Sequence, residues 1–101
     1  MAKPILKIDE KTLSAFCGKH NVVRLSLYGS QLNGDARPDS DIDFIIEFIP
    51  GKEPGLLGLA QMEAELSVLL GGKRVDLRTP KDLSRYFRDE VLRSSQVQYA
   101  R

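Results

Sequence analysis

The chain is poor in the residues that staple small domains or load them with metal. Its 101 residues include one cysteine, Cys17, and one histidine, His20. A lone cysteine excludes an internal disulfide and fits a reducing cytoplasm. Without a cluster of His and Cys, a zinc centre has no ligands. Charge of one sign is lacking too. Fifteen Lys and Arg face fourteen Asp and Glu, for a net charge of +1. No basic field therefore marks nucleic acid as the main ligand. No apolar stretch approaches the ~20 residues needed to span a bilayer, and no signal-peptide pattern opens the chain. The G-x-x-x-x-G-K-S/T phosphate loop, internal repeats and low-complexity tracts are missing as well.

What is present is ordinary for a soluble domain: 42% hydrophobic and 29% charged residues. That composition supports one domain over 1–101 with a modest core. Asp9 is expected to cap a helix running to about Cys17, with Gly18 ending it and Leu13, Phe16 and Cys17 facing inward. His20, in a Lys-His-Asn loop, reads as an exposed residue. Val22 to Tyr28 alternates, placing Val23, Leu25 and Leu27 on one side of a strand. A second strand spans Asp41 to Ile49 and stops at Pro50-Gly51. Leu56, Leu57, Leu59, Ala60, Glu63, Leu66, Leu69 and Leu70 form a leucine-rich helical face that Gly71-Gly72 ends. Lys73 to Arg78 reads as a third strand. Thr79-Pro80-Lys81-Asp82 starts a last helix, with Leu83, Tyr86, Phe87 and Val91 at helical spacing to about Ser94. Gln96 to Arg101 has no assignment. A helix between strands two and three favours a parallel pair or a mixed sheet.

Chemistry concentrates where two strands meet one loop. Gly29-Ser30 ends the first strand, and Asp41-Ile42-Asp43 opens the second after ten intervening residues. Residues two apart in a strand share a face, so Asp41 and Asp43 stand side by side. Such a pair repels itself unless a proton or a cation intervenes. Magnesium takes oxygen ligands and accepts triphosphate oxygens beside one or two carboxylates. Two such ions stabilise the entering and leaving oxygens of an in-line displacement. Asp76, flanked by inward Val75 and Leu77, supplies a third carboxylate and a candidate proton acceptor. Gly29 admits close approach of backbone to phosphate, and Ser30 adds a donor. Arg37 is placed to clamp a triphosphate or to stay solvated in the loop. Ser40 is a further candidate contact or a turn cap.

These residues resemble the nucleotidyltransferase superfamily that includes DNA polymerase beta, through its G-S-x(10)-D-x-D motif. Gly29-Ser30 and Asp41-Ile42-Asp43 match every fixed position, and Gly34, Arg37, Ser40 and Ile46 fit the extended form. Val75-Asp76-Leu77, Thr79-Pro80, Asp82-Leu83 and Arg88-Asp89-Glu90-Val91-Leu92 look like the minimal nucleotidyltransferases, in particular the MntA-like antitoxins. The resemblance implies a small mixed α/β (α+β) sheet with helices packed on one side. It implies Mg²⁺, as two ions, on Asp41, Asp43 and Asp76, and ATP as donor. For MntA-like members it further implies transfer of AMP to a tyrosine of a HEPN ribonuclease toxin, within a cytoplasmic hetero-oligomer and without direct nucleic-acid binding. Two other functions stay open: an antitoxin that neutralises by contact alone, and a nucleotidyltransferase with a small-molecule or RNA acceptor. The leucine-rich helix and the Tyr86-Phe87 pair are expected to bury in the chain's own core.

Overall fold

Two apolar-rich strands build the centre of the sheet. The computed structural model describes residues 8–28 and 41–101. Among these the elements are α1 (Glu10–Lys19), β1 (Val22–Tyr28), β2 (Ile42–Phe48), α2 (Leu56–Leu69), β3 (Val75–Arg78), a 3-10 turn (Pro80–Asp82), α3 (Arg88–Ser94) and β4 (Gln96–Ala100). The sheet order is β3-β2-β1-β4. β1 runs antiparallel to both β2 and β4, while β2 and β3 are parallel and joined through α2. This is the mixed α/β sheet expected from the sequence.

One face of the sheet carries the core. Leu25 pairs with Ile46, Leu27 with Phe44, and Phe44 with Leu77. Ladder partners project to the same side, and here they meet Leu13, Phe16 and Cys17 of α1, Met62 and Leu66 of α2, and Leu70 just after it. Burial pushes the Cys17 thiol up to about 12, so Cys17 behaves as a small apolar side chain. The first strand departs from simple alternation. A bulge between Val22 and Arg24 inserts Val23 into the register. Val22, rather than Val23, is therefore buried beside Leu25 and Leu27.

Several boundaries differ from the sequence reading. α1 continues through Gly18 to Lys19. The stop is Asn21, which adopts φ 61°, a left-handed conformation that asparagine tolerates better than most residues. Asp9 occupies the N-cap position without a side-chain bond to the backbone. His20 is partly buried rather than exposed, with Nε2 2.8 Å from Glu65. α2 ends as expected, because Gly71 and Gly72 both take positive φ and the Gly72 amide closes onto the Ser67 carbonyl at 2.8 Å. Its inward residues are Met62 and Leu66; Leu56 and Leu57 are 88% and 82% exposed.

The expected last helix is broken. Asp82 accepts from the Thr79 amide and hydroxyl, each at 3.1 Å, so the capping box closes over one 3-10 turn. Leu83 is then extended. Arg88 holds the break by donating to the Pro80 carbonyl at 2.8 Å and the Leu83 carbonyl at 3.2 Å. Tyr86 and Phe87 lie in this interruption and are 80% and 60% exposed, not buried. The unassigned tail becomes β4, which gives β1 its second neighbour.

Candidate active site

The face opposite the core carries the polar chemistry. In β1–β2, Tyr28 is the register partner of Asp43. In β2–β3, Asp43 is the partner of Asp76. Tyr28, Asp43 and Asp76 therefore form a row across three strands, with all three side chains on one side. The next row is Ser26, Ile45 and Arg78. Asp41 stands just before β2 and is exposed. The start of β2 is fixed next to it by the Ile42 amide, which donates to the Arg74 carbonyl at 2.8 Å.

Electrostatics couples the row. Burial raises the Asp43 carboxyl above the usual aspartate range, and the negative charges of Asp76 and then Asp41 raise it further, against the opposing charge of Arg78. Tyr28 is also raised, first by burial and then by the charge of Asp43. Arg78 donates from Nε to Asp76 Oδ2 at 3.1 Å, and this contact raises its own pKa. Asp43 and Asp76 are thus register partners, and the charge of Asp41 acts on Asp43.

They do not form a closed cage. Among the described residues, no three His, Cys, Asp or Glu side chains gather tightly enough to enclose a metal ion. Asp76 is instead paired with Arg78. A complete protein cage is not what magnesium requires. It binds through one or two carboxylates and fills its octahedron with water and phosphate oxygens. Asp43 and Asp76 on adjacent strands, with Asp41 felt at Asp43, fit that partial donor set.

Asp41 and Asp76 also line an open depression of about 400 Å³ with Glu63, Ser67, Arg74 and Val75. A larger hollow of about 570 Å³ lies between Phe48, Glu53 and the Thr79–Asp82 turn. It contains none of the row, so chemistry rather than volume selects the site. Glu63 also takes the Leu77 amide at 2.8 Å, which occupies a backbone donor on the edge strand. Gly29, Ser30, Arg37 and Ser40 lie outside the described residues. Tyr28, Glu63 and Arg78 were missed by sequence reasoning. The two-residue period of β1 and β3 would have placed Tyr28 and Arg78 on the polar face, but only the register shows what they meet.

The site is thus an acidic row on one face of a mixed sheet whose other face is covered by α1 and α2. Residues 9–98 match the nucleotidyltransferase domain family, and the chain belongs to that family. Among curated proteins, it is 35% identical over 75 residues to protein adenylyltransferase MntA of Thermococcus cleftensis, covering 74% of this chain and 73% of that protein. It is 38% identical over 74 residues to a Methanocaldococcus jannaschii protein provisionally named a protein adenylyltransferase, covering 73% and 76%. Among solved structures, one provisionally described as a minimal nucleotidyltransferase aligns with TM-score 0.66 and 35% identity, over 88% of this chain and 95% of that one. A toxin–antitoxin crystal structure with AMP-PNP shares the fold at TM-score 0.73 and 17% identity, over 93% and 75%. The chain is a transferase.

Proposed function

We propose that this chain is the antitoxin of a toxin–antitoxin pair and works as a protein adenylyltransferase. It moves AMP from ATP to a tyrosine hydroxyl of a HEPN-family ribonuclease toxin in the cytoplasm, with the whole chain acting as one catalytic domain. The observation that supports this best is the pairing of Asp43 with Asp76 in register across β2 and β3, beside Asp41. Relatives at 35–38% identity that bear the adenylyltransferase name support the donor and the class of acceptor.

Asp41, Asp43 and Asp76 would hold Mg²⁺, as two ions. When bound, magnesium supplies charge neutralisation of the triphosphate and of the oxygens that develop charge. The residues do the rest. The tyrosine oxygen attacks the α-phosphorus, the bond to the bridging oxygen breaks, and pyrophosphate leaves as the AMP ester forms. Asp76 accepts the hydroxyl proton. Gly29 and Ser30 cradle phosphate oxygens, Arg37 adds a charge clamp and Ser40 a further contact. Fixed carboxylates on two hydrogen-bonded strands need little rearrangement as charge develops.

The test uses the chain with a HEPN-like helical protein found encoded beside it, Mg²⁺ and each nucleoside triphosphate, with products weighed by mass spectrometry. The toxin is expected to gain one or more AMP units. D41A or D43A is expected to cut transfer by about 10²-fold or more. Full transfer by either variant removes that carboxylate from the mechanism. One observation favours a second reading, neutralisation by contact alone: Leu56, Leu57, Tyr86 and Phe87 are exposed. Toxin silenced by D43A without ATP would select it. A small-molecule or RNA acceptor would appear in the same experiment as ATP turnover without change in the toxin's mass.

A further inference from the structure

Arg78 is the one described side chain that forms an ion pair with a member of the carboxylate row. Its Nε lies 3.1 Å from Asp76 Oδ2. It projects from β3 two residues after Asp76, on the same face, opposite Ile45. Its positive charge also reaches Asp43 and Tyr28. A guanidinium there does part of what a divalent cation would do: it offsets negative charge crowded onto two neighbouring strands.

The contact is weak enough to exchange. The Arg78 side chain is 52% exposed, and exposed pairs of this kind contribute little because solvent screens them. A divalent ion brings twice the charge to the same oxygens. Arginine cannot leave by losing its proton, so it can yield only by moving. The arginine stem is long enough to swing into solvent without disturbing β3.

We propose that Arg78 is an exchangeable internal counter-ion of the row: it pairs with Asp76 until a divalent cation displaces it, and so sets how tightly the site takes that cation. This rests on the reading of Asp41, Asp43 and Asp76 as the cation-binding residues. Removing Arg78 deletes a competing positive charge near the ion. The coulombic effect at a few ångströms in a partly exposed site corresponds to roughly three- to tenfold tighter binding.

The experiment titrates Mn²⁺ into the full chain without nucleotide and follows free ion by electron paramagnetic resonance. Wild type, R78Q, R78K and D43N are compared, each checked for a wild-type circular dichroism spectrum. R78Q is expected to bind Mn²⁺ several-fold more tightly, and R78K, which keeps the charge, is expected to stay near wild type. Affinity unchanged or weakened in R78Q, while D43N loses binding, overturns the role of Arg78 and leaves the carboxylates in place. R78K that binds like R78Q overturns the charge-based account. If D43N keeps full affinity, or if neither wild type nor R78Q binds saturably, the inference and the reading beneath it both fall.

Discussion

Asp43 stands at the middle of the row, between Tyr28 and Asp76, where burial and like charge act on it together. Burial and two like charges raise its folded-state pKa above the unfolded value of about 3.9. Between those two values the folded chain binds more protons than the unfolded one, so stability falls as pH rises through the window. The protonated form's contribution is fully present below the unfolded pKa and is gone above the folded one. D43N removes the charge and nearly keeps the shape. Its melting temperature is expected to exceed that of wild type at pH 7, with the gap closing below about pH 4. Thermal melts across that range, read by circular dichroism, check it. The trade is a familiar one: a carboxylate held where function needs it costs stability. The aspartates themselves were legible, since strand alternation puts Asp41 with Asp43 and turns Asp76 away from Val75 and Leu77. Arg78 and Tyr28 follow the same period. Their meaning depends on which strand lies beside which, and no local pattern states that.

Among the elements, α1 and α2 are tied by more than apolar contact. Glu65 accepts from Lys19 Nζ at 3.0 Å and lies 2.8 Å from His20 Nε2, while the His20 ring packs on Phe16 at 4.8 Å between centroids. The bond from Lys19, and next that from His20, lowers the Glu65 pKa. A depressed carboxylate stabilises above its unfolded pKa, about 4.3, and the gain is lost as pH falls through the folded value. E65Q is expected to lose up to about 1 kcal/mol at pH 7, because solvent screens the cluster. Near pH 3 the variant and wild type should converge. Urea melts at both pH values measure the difference. Element ends were legible where backbone chemistry is local, as at Gly71-Gly72. The last helix was not. Its apolar spacing is helical, yet Arg88 bonds to Pro80 and Leu83 carbonyls that a continuous helix would have used internally. β4 was left unassigned for another reason. Gln-Val-Gln-Tyr-Ala alternates polar and apolar residues and carries strand-favouring Val97 and Tyr99, but so short a segment does not name its partner, and β1 supplies that partner from far along the chain.

For the molecule as a whole, β4 decides whether β1 is central or an edge. It pairs from Gln96 to Ala100 along β1, brings Tyr99 against the core, and leaves the Arg101 amide donating to Val23 at 2.8 Å. A chain ending at Ser95 would uncover the backbone of β1, an open edge prone to pair with other chains. Such a chain is expected to melt at a markedly lower temperature and to form soluble oligomers. Calorimetry and light scattering test this, and a monomer with the wild-type transition would show that β4 is dispensable.

The parallel join of β2 to β3 has an effect on timing. Asp43 and Asp76 come from opposite sides of the α2 crossover, with the exposed Pro50-Gly51 turn between them. A growing polypeptide therefore holds only half of the proposed site until its later strand has left the ribosome and docked. On the function proposed above, a half-made chain transfers nothing until β3 has joined β2.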